Sequence, residues 1–133
     1  MKRLTALRPI AAIAIALAAC GSSGPPARPS TNVKLVILTP SANQVTGPNL
    51  TLQFQVIGGT VLPAAQVTGP LRGDQGHIHV SLDGKLIQMA YTTHADLTGL
   101  PPGPHSVQAS WVATDHLPFQ NRVVTAVLFT VQS

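Results

Sequence analysis

The 133-residue chain has no glutamate, a single cysteine and few charges, which make up 9% of its residues; aromatics make up only 4%. Each scarcity removes a class of function. One cysteine cannot form an intramolecular disulfide, so any folded part must hold together on its packed core. The only acids are Asp74, Asp83, Asp96 and Asp115, and they form no obvious pair for glycoside hydrolysis. No Gly-x-Ser-x-Gly elbow supplies a nucleophile, and no glycine loop precedes a helix to cradle a phosphate. Apart from the far N-terminus there is no long apolar run, and no later segment shows a 3.6-residue period.

The N-terminus is the exception. Lys2, Arg3 and Arg8 precede an unbroken apolar stretch from Ile10 to Ala19, about half of what a helix needs to cross a bilayer. A basic start, a short apolar segment and small residues are the order of an export signal. The segment closes on Leu17-Ala18-Ala19-Cys20, which resembles the lipobox of bacterial lipoproteins. The resemblance implies that residues 1–19 are a signal peptide and that Cys20 becomes the lipidated first residue. The protein is then exported and held on the cell membrane or outer membrane, facing periplasm or exterior. Gly21 lacks the aspartate that, in that family, often retains lipoproteins in the inner membrane of Gram-negative cells.

Losing the signal removes three of the eight basic residues. Arg28, Lys34, Arg72, Lys85 and Arg122 remain, and five bases against four acids leave +1. The basic character belongs mostly to the precursor. No cationic patch is left for nucleic acid, and no polybasic stretch for an anionic membrane surface. Contact with the membrane therefore falls to the acyl chains. Residues 20–32, rich in Gly, Ser and Pro and without apolar periodicity, are expected to be a tether with a reach of roughly 20 Å.

From Val33 to Ser133 the pattern is strands and turns. Leu50, Leu52, Phe54 and Val56 alternate with Thr51, Gln53 and Gln55, the period of a half-buried strand. Asp83-Gly84 between His77–Leu82 and Lys85–Tyr91 is a hairpin signal, because the pair tolerates positive φ. Val107, Ala109 and Trp111 share one face of a strand over His105–Thr114. Arg122–Val131 is apolar on both faces, as a central strand should be. Residues 59–76, interrupted by Pro63, Gly69, Pro70, Gly73 and Gly76, hold either a short edge strand near Ala65–Thr68 or a functional loop. About seven strands of this kind predict an all-β sandwich. Leu97-Thr98-Gly99-Leu100-Pro101-Pro102-Gly103-Pro104-His105 resembles the turn that enters a late strand of bacterial immunoglobulin-like domains. The wider order, Gly76-His77-Ile78-His79-Val80, Asp83-Gly84, the Pro-Pro-Gly-Pro turn and Asp115-His116, resembles a group of small exported bacterial domains. The resemblance implies an immunoglobulin-like fold and names no activity.

Five histidines in so small a domain are its main chemical resource. His77 and His79 are two apart on a predicted strand and share a face, about 7 Å apart at Cα. With His116 and His94 they form a candidate site for copper or zinc, since imidazole suits both ions. Asp74, Asp96 and Asp115 lie near these histidines in sequence and are candidates to orient their second ring nitrogens. With no thiolate available and Met89 as the one thioether of the domain, Cu(II) or Zn(II) fits better than Cu(I). The competing reading is that the histidines close hydrogen bonds at strand ends and turns, and His105, in phase with Val107, is assigned to that role. Tyr91 and Phe119 could form a protein- or glycan-binding face, Phe119 alternatively plugging the sandwich end. A superoxide-dismutase-like enzyme is the remotest reading: those enzymes also set a His-x-His pair on a β-sandwich, but their glycine-rich histidine motif and their disulfide are missing here. The sequence thus favours a non-catalytic, lipid-anchored envelope module that binds a metal, a protein or a glycan.

Overall fold

The structure is a computed structural model and describes residues 21, 24, 27–66 and 70–133. The expected signal peptide, Cys20 and part of the tether lie outside the described residues. Nine strands and one short 3₁₀ turn make up the described chain. They are β1 (Lys34–Thr39), β2 (Val45–Thr46), β3 (Leu50–Ile57), β4 (Thr60–Val61), the 3₁₀ turn Ala64–Gln66, β5 (Gln75–Leu82), β6 (Lys85–Ala90), β7 (His94–Leu97), β8 (Gly103–Val112) and β9 (Pro118–Val131). No helix among the described residues is long and apolar enough to cross a membrane.

Two sheets form. The smaller has the order β1-β3-β7. The larger runs β2-β9-β8-β5, and the far edge of β5 carries β4 at Gln75 and Gly76 and β6 from Ile78 to Leu82. Alternation decides which side of each strand is buried. Leu35, Ile37, Leu52 and Phe54 from the small sheet meet Ile78, Val80, Val107, Ala109, Trp111 and Phe129 from the large one in a single core. This is the immunoglobulin-like sandwich that the alternating pattern predicts. The Asp83-Gly84 hairpin forms with both residues at positive φ, 49° and 83°, which matches the twist of the flanking strands.

Trp111 sits near the centre of the core, with the ring of Phe119 parallel to it at 6.5 Å. Phe119 is buried, so it plugs the sandwich end and does not offer a binding face. Gly76 lies flush against the indole of Trp111 and the carbonyl of Val112, leaving no room for a β-carbon. A glycine immediately before His77 is therefore what lets β5 close against β8.

Three expectations need correction. β9 is not a central strand: beyond it lies only the two-residue β2, and its outward residues Val124 and Leu128 are 50% and 64% exposed. Its apolar outer face meets solvent. The edge strand within residues 59–76 is Thr60–Val61 and not Ala65–Thr68, where residues 64–66 form the 3₁₀ turn and 67–68 lie outside the described residues. The far end of the expected tether is bound to the domain. Thr31 donates its N–H to Asn121 Oδ1 at 2.8 Å and accepts from Asn121 Nδ2 at 2.7 Å, while Gln120 donates to the Pro29 carbonyl at 3.1 Å. Residues 28–32 thus form a strap across the start of β9. Their prolines and polar residues give no periodic signal, because the contacts are backbone and amide hydrogen bonds to a segment some 90 residues away.

Candidate metal centre

β5 places His77 and His79 on the face of the large sheet opposite the core, since Ile78 and Val80 between and beyond them point inward and are fully buried. An outward histidine at a sheet face would ordinarily be exposed, yet His77 is only 1% exposed. Tyr91, just after β6, stacks on its ring at 5.0 Å, and His116 meets it edge-on at 4.5 Å between ring centroids. His116 stands in the β8–β9 connection. The turn is closed by the His116 N–H to the Ala113 carbonyl at 2.9 Å and by the Ala113 N–H to the Leu117 carbonyl at 3.0 Å. It holds His116 at φ 65°, a left-handed conformation that is uncommon for a side chain with a β-carbon.

The three rings converge. His77 Nε2 lies 3.1 Å from His79 Nε2 and 2.9 Å from His116 Nδ1. One ligand atom from each of the three can be chosen so that all lie within 4.8 Å of one another. A ring nitrogen has either one N–H or one lone pair. The single nitrogen of His77 therefore cannot make two full hydrogen bonds to its two neighbours. A divalent cation accepts a lone pair from each. Metal–nitrogen bonds of about 2.0–2.1 Å in tetrahedral array put ligand nitrogens about 3.4 Å apart, near the two separations from His77 of 3.1 and 2.9 Å. The donor set could hold a metal ion.

Electrostatics favour neutral rings at His77 and His79. The pKa of His77 is lowered to about 4, first by burial and then by the positive charge that His116 and His79 would carry. His79 is lowered as well, by burial and by His116. Neutral imidazole is the form that binds metal.

The remaining candidates fall elsewhere. His94 begins β7 in the small sheet, paired with Gln53 and exposed, so it does not join the cluster. Asp74 pairs with Arg72 at 3.3 Å, and Asp96 accepts from Thr51 at 2.6 Å. Asp115 adjoins His116 but takes a bidentate contact from Arg28 at 2.8 and 2.9 Å. None of the three aspartates hydrogen-bonds a histidine among the described residues, so none orients a ring of the cluster directly. Asp115 acts one step removed. Arg28 also donates to the Pro118 and Leu117 carbonyls at 2.6 and 3.1 Å, so the strap clamps the turn that presents His116. Sequence reasoning had no signal for Arg28. Tyr91 covers the cluster and is not a separate binding face. His105 is accounted for in full: Nδ1 meets Asp83 at 2.7 Å and Nε2 meets the Pro101 carbonyl at 2.8 Å.

No family model matches the sequence, and no curated protein matches it. Solved structures do. The chain is similar to the fibronectin(III)-like modules of Clostridium thermocellum CbhA, with a TM-score of 0.52 and 18% identity over 73% of this chain and 93% of that one. A lytic polysaccharide monooxygenase from Jonesia denitrificans matches at a TM-score of 0.45 and 17% identity, over 70% of this chain and 60% of that one. The first likeness identifies the fold as a fibronectin(III)-like β-sandwich; on it, His77 and His79 of the larger sheet and His116 of the β8–β9 connection form a cluster that could hold a metal ion.

Proposed function

We propose that this protein is a non-catalytic, lipid-anchored envelope module that binds Cu(II) or Zn(II) through His77, His79 and His116. The observation that carries the reading is the convergence of His79 Nε2 and His116 Nδ1 on the one Nε2 of His77. Three neutral imidazoles leave at least one coordination position for a further ligand. Burial of His77 under Tyr91 fixes one ligand in place before the ion arrives, which reduces the ordering that binding requires.

The anchor rests on Cys20 and the apolar segment before it. Contacts of the strap begin at Arg28, so residues 21–27 separate the cysteine from the bound segment. Fully extended, such a run reaches about 25 Å. The metal centre then works close to the membrane surface, on its outer side.

Titration of the purified chain in mild detergent with Cu(II) and with Zn(II) tests the proposal. Uptake of one ion per chain near neutral pH, abolished in His77→Ala and His79→Ala, is expected. No uptake, or uptake unchanged in both variants, contradicts it. A second reading, a protein- or glycan-binding module without metal, draws on the apolar outer face formed by Leu86, Val124 and Leu128. It predicts an envelope partner whose capture does not respond to chelator.

A further inference from the structure

Arg122 has no assigned role in the fold, and its place points to a second ligand. β8 and β9 pair as Trp111 with Val123 and Val112 with Pro118, so residues 119–122 bulge from the ladder. Bulges commonly re-aim side chains beside functional sites. Three of the four bulged residues are accounted for: Phe119 fills the core, while Gln120 and Asn121 hold the strap. Arg122 is exposed and lines a groove of about 210 Å³ whose wall also includes His79 and His116.

The charges near this groove are unbalanced. Three imidazoles bring no negative charge to a divalent ion, and Arg122 adds another positive charge. All four aspartates are engaged elsewhere, with Arg72, His105, Thr51 and Arg28, and the sequence has no glutamate. Among the described residues no carboxylate lines the groove. Its walls are partly apolar, at Leu86 and Val124, and partly hydroxylic, at Ser81 and Ser110. A guanidinium fork matches a carboxylate in bidentate geometry.

We propose that the groove takes a small organic carboxylate with an apolar body, one end on Arg122 and the metal ion, the other against Leu86 and Val124. The proposal rests on the metal reading above and goes further by naming the class of the additional ligand. Benzoate, with acetate for comparison, is the probe. The full chain in mild detergent is loaded with Cu(II), and its electron paramagnetic resonance and visible absorption are followed as benzoate is added. The expected result is a saturable spectral change at lower concentration for benzoate than for acetate. Arg122→Gln should weaken the response at least tenfold while Cu(II) uptake stays unchanged. Val124→Glu, at an exposed position, should supply a competing internal carboxylate and abolish the benzoate response. Cu(II) uptake with no response to benzoate, or an equal response in Arg122→Gln, overturns this inference and leaves the metal reading standing. No Cu(II) uptake overturns both.

Discussion

The two ends of β5 put histidines to opposite uses. Near the Asp83-Gly84 turn, His105 has an anion on one ring nitrogen and a carbonyl on the other. Those two contacts, the Pro101 carbonyl and then Asp83, raise its pKa and favour the charged ring. At the other end, His77 is buried among aromatic and imidazole rings with no carboxylate hydrogen-bonded to it, and burial drops its pKa to about 4. One histidine is satisfied by the protein and ties a turn to a strand. Three others, His77, His79 and His116, bring ring nitrogens together in a cluster that could hold a metal ion. The number of histidines says little about function here; what surrounds each second nitrogen says more.

The largest test of this contrast is deletion at each end. His77→Ala should weaken Cu(II) or Zn(II) binding more than about 100-fold, beyond the usual effect of an outer-shell residue. His105→Ala should leave uptake unchanged and lower only stability. Calorimetric titration of both variants separates the two roles.

The second test concerns packing beneath the metal end. Gly76→Ala drives a methyl group into the Val112 carbonyl and the Trp111 ring, so β5 must move away from β8. A loss of about 1–3 kcal/mol in chemical denaturation is expected, in line with overpacking elsewhere. Metal affinity should fall with it, because His77 is the next residue. The corresponding change at the far end, Gly84→Ala, meets no neighbouring atom but sits at φ 83°, so it should cost backbone strain without touching metal uptake.

The third test is pH, where the ends carry opposite signs. Folded His77 stays neutral down to about pH 4 while the unfolded residue takes a proton near 6.5. Without metal, stability should fall as pH drops through that window, by up to about 3 kcal/mol from this residue. His105 is raised, so its contribution is complete below 6.5 and is lost as pH rises through its folded value. Melting temperature against pH should lose part of its acid-side slope in His77→Phe, with His79 and the lowered Asp83 and Asp115 supplying the rest, and its alkaline-side decline in His105→Asn.

The smallest effects concern the clamp and the outlier. Arg28→Ala frees the turn bearing His116 and should weaken metal binding by about tenfold or less, since it acts through Asp115 and two carbonyls and touches no ligand. His94→Ala, on the other sheet, should change nothing in the same titration.

Alternation and turn chemistry made much of both sheets readable. The inward set of β3, the β5–β6 hairpin and the core face of β8 all follow from side-chain period and an Asp-Gly turn. The His77–His79 pairing on one face follows from the same period. Strands β2 and β4 have two residues each and β7 four, too short for a periodic signal. The apolar outer face of β9 reads as burial on both sides, because sequence alone does not show which strand lies at an edge. The arrival of His116 at the pair depends on how the β8–β9 connection closes, and the strap depends on hydrogen bonds across some 90 residues. Neither leaves a local pattern. His94 had the same local signal as His116, a neighbouring aspartate, and only the topology separates them.

The central claim is that three particular ring nitrogens share one ion. Nitrogen-15 NMR of the histidine rings, recorded with and without one equivalent of Zn(II), addresses it directly. The account predicts metal-bound shifts at Nε2 of His77, Nε2 of His79 and Nδ1 of His116, with His94 and His105 unmoved. Unchanged resonances at His77, or binding shifts centred on His94 or His105, would contradict it.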